Sequence, residues 1–266
     1  MDEPASYEYR GLMALTWDVL RGDTSGWPDR AFYREAIERY GQPALDVGCG
    51  TGRLLLDYLA DGIDIDGVDI SPEMLELCRA KAGRAGIAVN VVEQRMEHLD
   101  LPRRYRCIVV PSSSFQLLVD AAAAEQAMDR LFAHLEAEGA LVMPFMTLWR
   151  AGDPLVTEWS TEVVRPEDGA QVSKRSVARF DPDSGLEHTE DLYEVHLDGR
   201  VVASERHGRS PATRSYTREE AVDLYQRHGF EQVEVLGPFV WEPAEEDDSV
   251  FCVVGRRPKA PVRGIR

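Results

Sequence analysis

The run Pro43-Ala44-Leu45-Asp46-Val47-Gly48-Cys49-Gly50-Thr51-Gly52-Arg53-Leu54-Leu55-Leu56 constrains the fold more than any other stretch of this chain. Ala44 to Val47 reads as a short buried strand and Arg53 opens an apolar helical run, so the glycines occupy a tight strand-to-helix turn. Without Cβ atoms at 48, 50 and 52 the turn can take positive φ. It can then bring main-chain N–H groups and the following helix N-terminus against a bound group.

Two acids decide what that group is. The dinucleotide pattern G-x-G-x-x-G/A wants Gly or Ala where this chain has Arg53, and it serves a diphosphate. Asp46 instead stands two residues before Gly48, and a carboxylate there suits a ligand with a cationic amino group and no phosphate. Asp69 closes the next apolar strand, Ile63 to Val68, about where a ribose-binding carboxylate is expected after a nucleotide-type turn. Together the two acids fit an adenosyl amino acid.

Asp46-Val-Gly-Cys-Gly-Thr-Gly52 followed by Val68-Asp69-Ile70-Ser71-Pro72-Glu73-Met74-Leu75 resembles the first two motifs of the class I S-adenosylmethionine-dependent methyltransferases. The resemblance spans roughly residues 28–147 and resumes near 217–255. It implies a Rossmann-like, doubly wound α/β sheet of seven strands that ends in an antiparallel hairpin, with S-adenosyl-L-methionine as cofactor. It also implies a site list: Asp46, Gly48, Cys49, Gly50, Asp69, Ile70 and Met74, with Trp17 from a cover that precedes the first strand. Tyr33 of that cover is a second candidate for the methionine end or the substrate. The adenine edge falls at Gln94-Arg95-Met96. Arg95 stands where many relatives carry an acid, so the Gln94 side chain and the backbone N–H of Arg95 or Met96 become the expected partners. Pro111 and Phe115 follow the fourth strand, Tyr105 to Val110, at the sheet edge where ligands sit. The Pro111-Ser-Ser-Ser-Phe115 loop matches neither the motif of nucleobase amino-methyltransferases nor that of metal-dependent catechol methyltransferases.

Helices are expected over Tyr7–Leu20, from Trp27-Pro28 to the stop at Gly41, after the Ser71-Pro72 cap, over Ala121–Glu138 before Gly139, and after the Thr217-Arg-Glu-Glu220 capping box. Ala140 to Phe145 reads as the fifth strand. From about 152 to 216 apolar and polar residues alternate between turn sequences, the pattern of antiparallel hairpins. Four strands are expected there: Val156–Val164, Ala170–Phe180, Leu186–Leu197 and Arg200–Arg209. The domains expected are therefore a core over 1–150 and 217–257 with an N-terminal helical cover, an antiparallel β-meander over 151–216 serving as lid or dimer seam, and a flexible tail over 258–266. Such an insert after the fifth strand resembles that of small-molecule N-methyltransferases.

With 266 residues, 44% of them hydrophobic, the chain can bury one core plus a small added sheet. A formal charge of −17 argues against nucleic acid as a partner, because that affinity rests on Lys and Arg neutralising phosphates. Cys49, Cys78, Cys107 and Cys252 show neither disulfide nor zinc spacing, so a reduced, cytoplasmic, metal-free protein is expected. No apolar run approaches the ~20 residues that span a bilayer, so no membrane partner is expected.

The expected partner is a small-molecule methyl acceptor, methylated on N or O, with the protein a monomer or a homodimer through the insert. His188, His196 and His207 are base candidates for a hydroxyl acceptor, and no catalytic residue is assigned. The alternatives are a non-catalytic adenosyl-binding protein and, with Arg53 against it, a nicotinamide oxidoreductase.

Overall fold

A computed structural model describes residues 7–259, so residues 1–6 and, of the expected tail, residues 260–266 lie outside the described residues. β1 (Ala44–Val47), β2 (Ile65–Asp69), β3 (Val91–Glu93), β4 (Tyr105–Val109) and β5 (Leu135–Met146) run parallel, and β10 (Glu231–Leu236) and β11 (Val250–Arg256) close the sheet antiparallel. The order is β10-β11-β5-β4-β1-β2-β3. All four residues of β1 are buried, as a parallel strand covered on both faces must be. One face packs Leu45, Ile108, Leu131 and Phe145 with the helices behind them; the other packs Phe32, Ile37, Leu55 and Leu75. From β1 the chain winds outward through β2 and β3, then crosses back to β4. The strand order therefore reverses between β1 and β4, which places a crevice at their carboxyl ends.

Local chemistry sets the helices. Pro28 begins α3 (Pro28–Tyr40), and Gly41 at φ 100° ends it. Ser71 caps α5 (Pro72–Ala85), its hydroxyl accepting the Met74 N–H at 3.1 Å. Both bonds of the capping box at Thr217 form at the start of α7 (Arg218–Arg227).

Three expected helices differ. The single helix over 7–20 is two short ones, α1 (Leu12–Leu15) and α2 (Trp17–Arg21), broken where the Thr16 hydroxyl donates back to the Leu12 carbonyl at 2.6 Å. The helix after the glycine turn, α4 (Leu55–Ala60), starts two residues later than Arg53 because Gly52 at φ 80° prolongs the turn. The alanine-rich helix α6 (Ala121–His134) ends four residues early, and Leu135 to Glu138 enter β5. Gly139 is thus no helix stop. A Cβ there would meet the Arg106 and Glu136 carbonyl oxygens at 3.0 Å, at a register shift between β4 and β5.

β6 (Val156–Val164), β7 (Gln171–Asp181), β8 (Leu186–Leu197) and β9 (Arg200–Arg214) form the separate antiparallel sheet, with β9 five residues longer than expected. Its inner face meets α1 and α2 through Val172, Tyr193 and Val195 packed on Leu12 and Met13. The four cysteines are buried and unbridged. Among the described residues no helix is long and apolar enough to cross a membrane.

Candidate cofactor-binding site

At the carboxyl ends of β1 and β2 lies a cleft that opens to solvent, lined by residues of both turns. Eleven residues expected at the site line it. Asp46, Gly48, Cys49 and Gly50 come from the first turn, and Asp69, Ile70 and Met74 from the second. Gln94, Met96, Pro111 and Trp17 complete the set. Arg95 and Phe115 do not line the cleft. Arg95 turns to the Glu97 carboxylate and lies over the Tyr7 ring. Phe115 is fully buried in the core against Phe145 and Tyr216, because the loop after β4 tucks its apolar residue beneath the sheet edge. Tyr33 is likewise a core residue, packed on Phe32 and Phe239.

The main-chain N–H groups expected to meet a bound group are instead engaged within the fold. The N–H groups of Gly48 and Cys49 both donate to the Val68 carbonyl, at 2.7 and 3.0 Å, and Gly52 N–H donates to Cys49 at 2.9 Å. Gly50 N–H donates to Asp69 at 2.8 Å. With its donors engaged internally, the turn presents space and acids, not a phosphate nest. The glycine at 48 has φ 77°, and a Cβ there would sit 2.7 Å from the Ser114 Oγ.

Asp46 is 1% exposed, and its Oδ1 has no hydrogen-bond partner. Burial pushes its pKa up to about 7, with Asp69 and Asp29 adding to the rise and Arg53 opposing it. Arg53, which also lines the cleft, spends its guanidinium on Asp29 and leaves the Asp46 oxygen unmatched. A buried carboxylate oxygen with nothing to accept is the partner a ligand ammonium requires. Asp69 accepts from Gly50 and Ser71, at 2.8 and 2.9 Å, and burial raises its pKa. Each of its oxygens keeps a lone pair for a hydroxyl. The site therefore fits an adenosyl amino acid on both counts.

Sequence reasoning missed the roof. Tyr7 and Tyr9 line the cleft from an extended segment before α1, and their spacing of two residues was the available signal. Tyr9 meets Trp17 edge-on with ring centroids 4.8 Å apart, and the Tyr7 hydroxyl donates to Glu97 at 2.6 Å. Glu73 of α5 accepts Gly11 N–H and Glu205 of β9 accepts Leu12 N–H, each at 2.7 Å, so the roof is tied to both the α/β core and the meander. Ser112, Ser114 and Leu117 also line the cleft. None of the six histidines does: His188 pairs with Ser210, His196 lies near Glu194, and His207 pairs with Glu205 on the meander. Among the described residues no group of three or more His, Cys, Asp or Glu side chains is placed to hold a metal ion.

A doubly wound sheet whose glycine turn lies between the buried Asp46 and the half-buried Asp69 has the architecture of nucleotide- and nucleoside-binding α/β proteins. Comparison with known proteins makes the class specific. Residues 44–139 match the family model described as "Methyltransferase domain". A Geobacillus sp. (strain WCH70) protein with a provisional methyltransferase name is 24% identical over 249 residues, covering 90% of this chain and 96% of that protein. The CcbJ methyltransferase of Streptomyces caelestis superposes with a TM-score of 0.75 at 19% identity, over 97% of this chain and 100% of that one. SAM-bound CalS10, an amino pentose methyltransferase of Micromonospora echinaspora, gives 0.67 at 20% identity, over 94% and 98%. At these identities the structural likeness is one of fold. The chain thus carries a methyltransferase domain over residues 44–139, and the fold around it is that of S-adenosylmethionine-dependent methyltransferases.

Proposed function

We propose that the protein methylates a small molecule by in-line displacement, and that the acceptor atom is an amine nitrogen. The donor, when bound, supplies a methyl group already activated on a sulfonium. The observation that carries the site is the buried, unpartnered Asp46 Oδ1 facing the cleft, which takes the donor's ammonium. Asp69 takes the sugar hydroxyls, Gln94 and Met96 border the base, and Trp17 with Tyr9 closes the roof and keeps water from the reacting atoms.

The amine is favoured over a hydroxyl because of what lines the cleft. A hydroxyl acceptor needs a base, and no histidine is there. Tyr7 is held in its protonated form by burial and by its bond to Glu97. An amine that arrives deprotonated needs no base; alignment and desolvation suffice. The amino pentose named for CalS10 supports the same reading. Chain charge favours a small acceptor over nucleic acid.

Calorimetry with S-adenosylhomocysteine tests the donor site. Micromolar binding is expected, weakened by about 1–3 kcal/mol in Asp69→Ala. Equal binding by parent and variant removes Asp69 from the site. Turnover of the donor to S-adenosylhomocysteine with a panel of small amines separates an enzyme from a protein that only binds. Turnover with phenols and no amines would reverse the choice of nucleophile.

A further inference from the structure

The inner face of the meander carries a second set of unmatched buried groups, outside the donor site. Arg209 Nε and Nη1 and Thr189 Oγ1 are buried without hydrogen-bond partners. Thr189 and Arg209 are directly paired across β8 and β9, on the same face as Asp191 and Tyr193 because side chains alternate along a strand. The guanidinium lies 5.1 Å from the centroid of the Tyr9 ring, and Tyr9 lines the donor cleft. Immediately past Arg209 the β8–β9 register breaks, one residue of β8 facing three of β9, and such bulges re-aim side chains. After the break Arg214 O accepts from Gln116 at 2.6 Å, which seats β9 on the loop that supplies Ser114 and Leu117 to the cleft. The unmatched groups therefore adjoin the wall of the donor cleft.

Glu187 feels the Arg209 charge, but no nearby acid bonds the two unmatched Arg209 nitrogens. Asp191 is committed to the Ser176 hydroxyl at 2.6 Å and to Lys174 at 3.3 Å. Glu187, on the same face, makes no hydrogen bond to Arg209, and burial raises its pKa. A desolvated guanidinium with unmade bonds needs an oxyanion, which supplies both charge and lone pairs.

We propose that Arg209, with Thr189 beside it, determines acceptor specificity by holding a carboxylate on the methyl acceptor. This rests on the methyltransferase reading above and narrows it. The acceptor carries a carboxylate as well as its amine, with the carboxylate gripped by the meander and the amine left free to face the donor.

The test uses 15N-arginine-labelled full-length protein saturated with S-adenosylhomocysteine, with the Arg209 Nε–H resonance assigned by its loss in Arg209→Lys. Benzoate and acetate are the probes, and benzamide, which has the same ring as benzoate but no charge, is the control. A saturable shift of the Arg209 resonance is expected with both carboxylates and not with benzamide, and Thr189→Val is expected to weaken it by about tenfold. An unmoved resonance at tens of millimolar carboxylate, or an equal shift with benzamide, overturns the proposal. So does a ligand-free Glu187→Gln variant whose Arg209 resonance moves as far as benzoate moves it, since Arg209 would then be paired internally. Protein that fails to bind S-adenosylhomocysteine at all brings down the methyltransferase reading; protein that binds it and ignores carboxylates brings down this inference alone.

Discussion

The glycine turn and the meander solve the same problem, positioning polar groups over a cleft, by opposite means. At the turn, residues close in sequence do the work: Asp46 to Gly50 and Asp69 to Ser71 lie at the carboxyl ends of neighbouring parallel strands and are bonded to one another. In the meander, Thr189 and Arg209 meet only through strand register, and the sheet has one covered face. Its edge strand β6 is exposed at eight of nine positions. On the proposed assignment, the donor half of the reaction is encoded locally and the acceptor half by pairing.

Two glycines with nearly equal torsions give the largest contrast. Gly48 has φ 77° and Gly199, in the β8–β9 turn, has φ 73°. A Cβ at 48 meets the Ser114 side chain at 2.7 and 2.9 Å, whereas one at 199 meets nothing within 4 Å. Gly48→Ala is expected to cut S-adenosylhomocysteine affinity by about 100-fold, through strain plus a displaced loop. Gly199→Ala is expected to cost about 1 kcal/mol of stability by thermal unfolding and to leave that affinity unchanged. Equal affinity losses at the two sites would break the contrast.

Asp46 sharpens it through pH. Its pKa is raised, so the folded protein binds a proton more tightly than the unfolded chain does. That contribution to stability is complete below pH ~4 and is lost as pH rises through about 7. Asp46→Asn should therefore stabilise the ligand-free protein at pH 8, by about 1–4 kcal/mol in denaturant melts. Donor affinity runs the other way. The parent should bind S-adenosylhomocysteine more tightly as pH rises through about 7, because the carboxylate that meets the ammonium forms there. Asp46→Asn should be about tenfold weaker at pH 8 and nearly flat between pH 6 and 8. A parent profile as flat as the variant's would remove Asp46 from the ammonium site.

These residues also explain what could be read before the fold was seen. The Asp46 turn, the Asp69 strand end and the Ser71 and Thr217 caps were legible because each depends on residues within a few positions of one another. The limits of β6 and β8 were legible because their turns announce themselves. Phe115 and Arg95 misled because motif position says which loop a residue occupies and not which way its side chain turns. Tyr7 and Tyr9 offered only their two-residue spacing, because their place over the cleft depends on Glu97 and on the Ser71 hydroxyl, which donates to the Tyr9 carbonyl. Gly139 read as a helix stop when its role is close backbone approach between strands adjacent only in the fold.

The roof, where the two regions meet, should show intermediate effects. Glu205 accepts Leu12 N–H and pairs with His207 at 3.1 Å, so Glu205→Gln keeps the shape and weakens the tie between β9 and α1. S-adenosylhomocysteine affinity is expected to fall by about three- to fivefold, with faster amide exchange at Leu12 and Met13. An unchanged affinity would mean that the meander does not hold the roof over the donor.

The smallest effect belongs to the outer edge. Val164 in β6 is 61% exposed and pairs with Gln171 on β7, far from the buried acids in both sequence and sheet order. Val164→Lys changes no buried contact and adds the charge that edge strands carry against pairing with other chains. Stability should stay within about 0.5 kcal/mol of the parent and donor affinity within about twofold. Light scattering on the same samples gives the variant's second use: a mass that halves on substitution assigns β6 as a seam between copies, and an unchanged mass leaves the meander facing its own roof. A fivefold loss of donor affinity at this position would make the edge strand part of the donor site, and the division between a locally encoded half and a register-encoded half would fail.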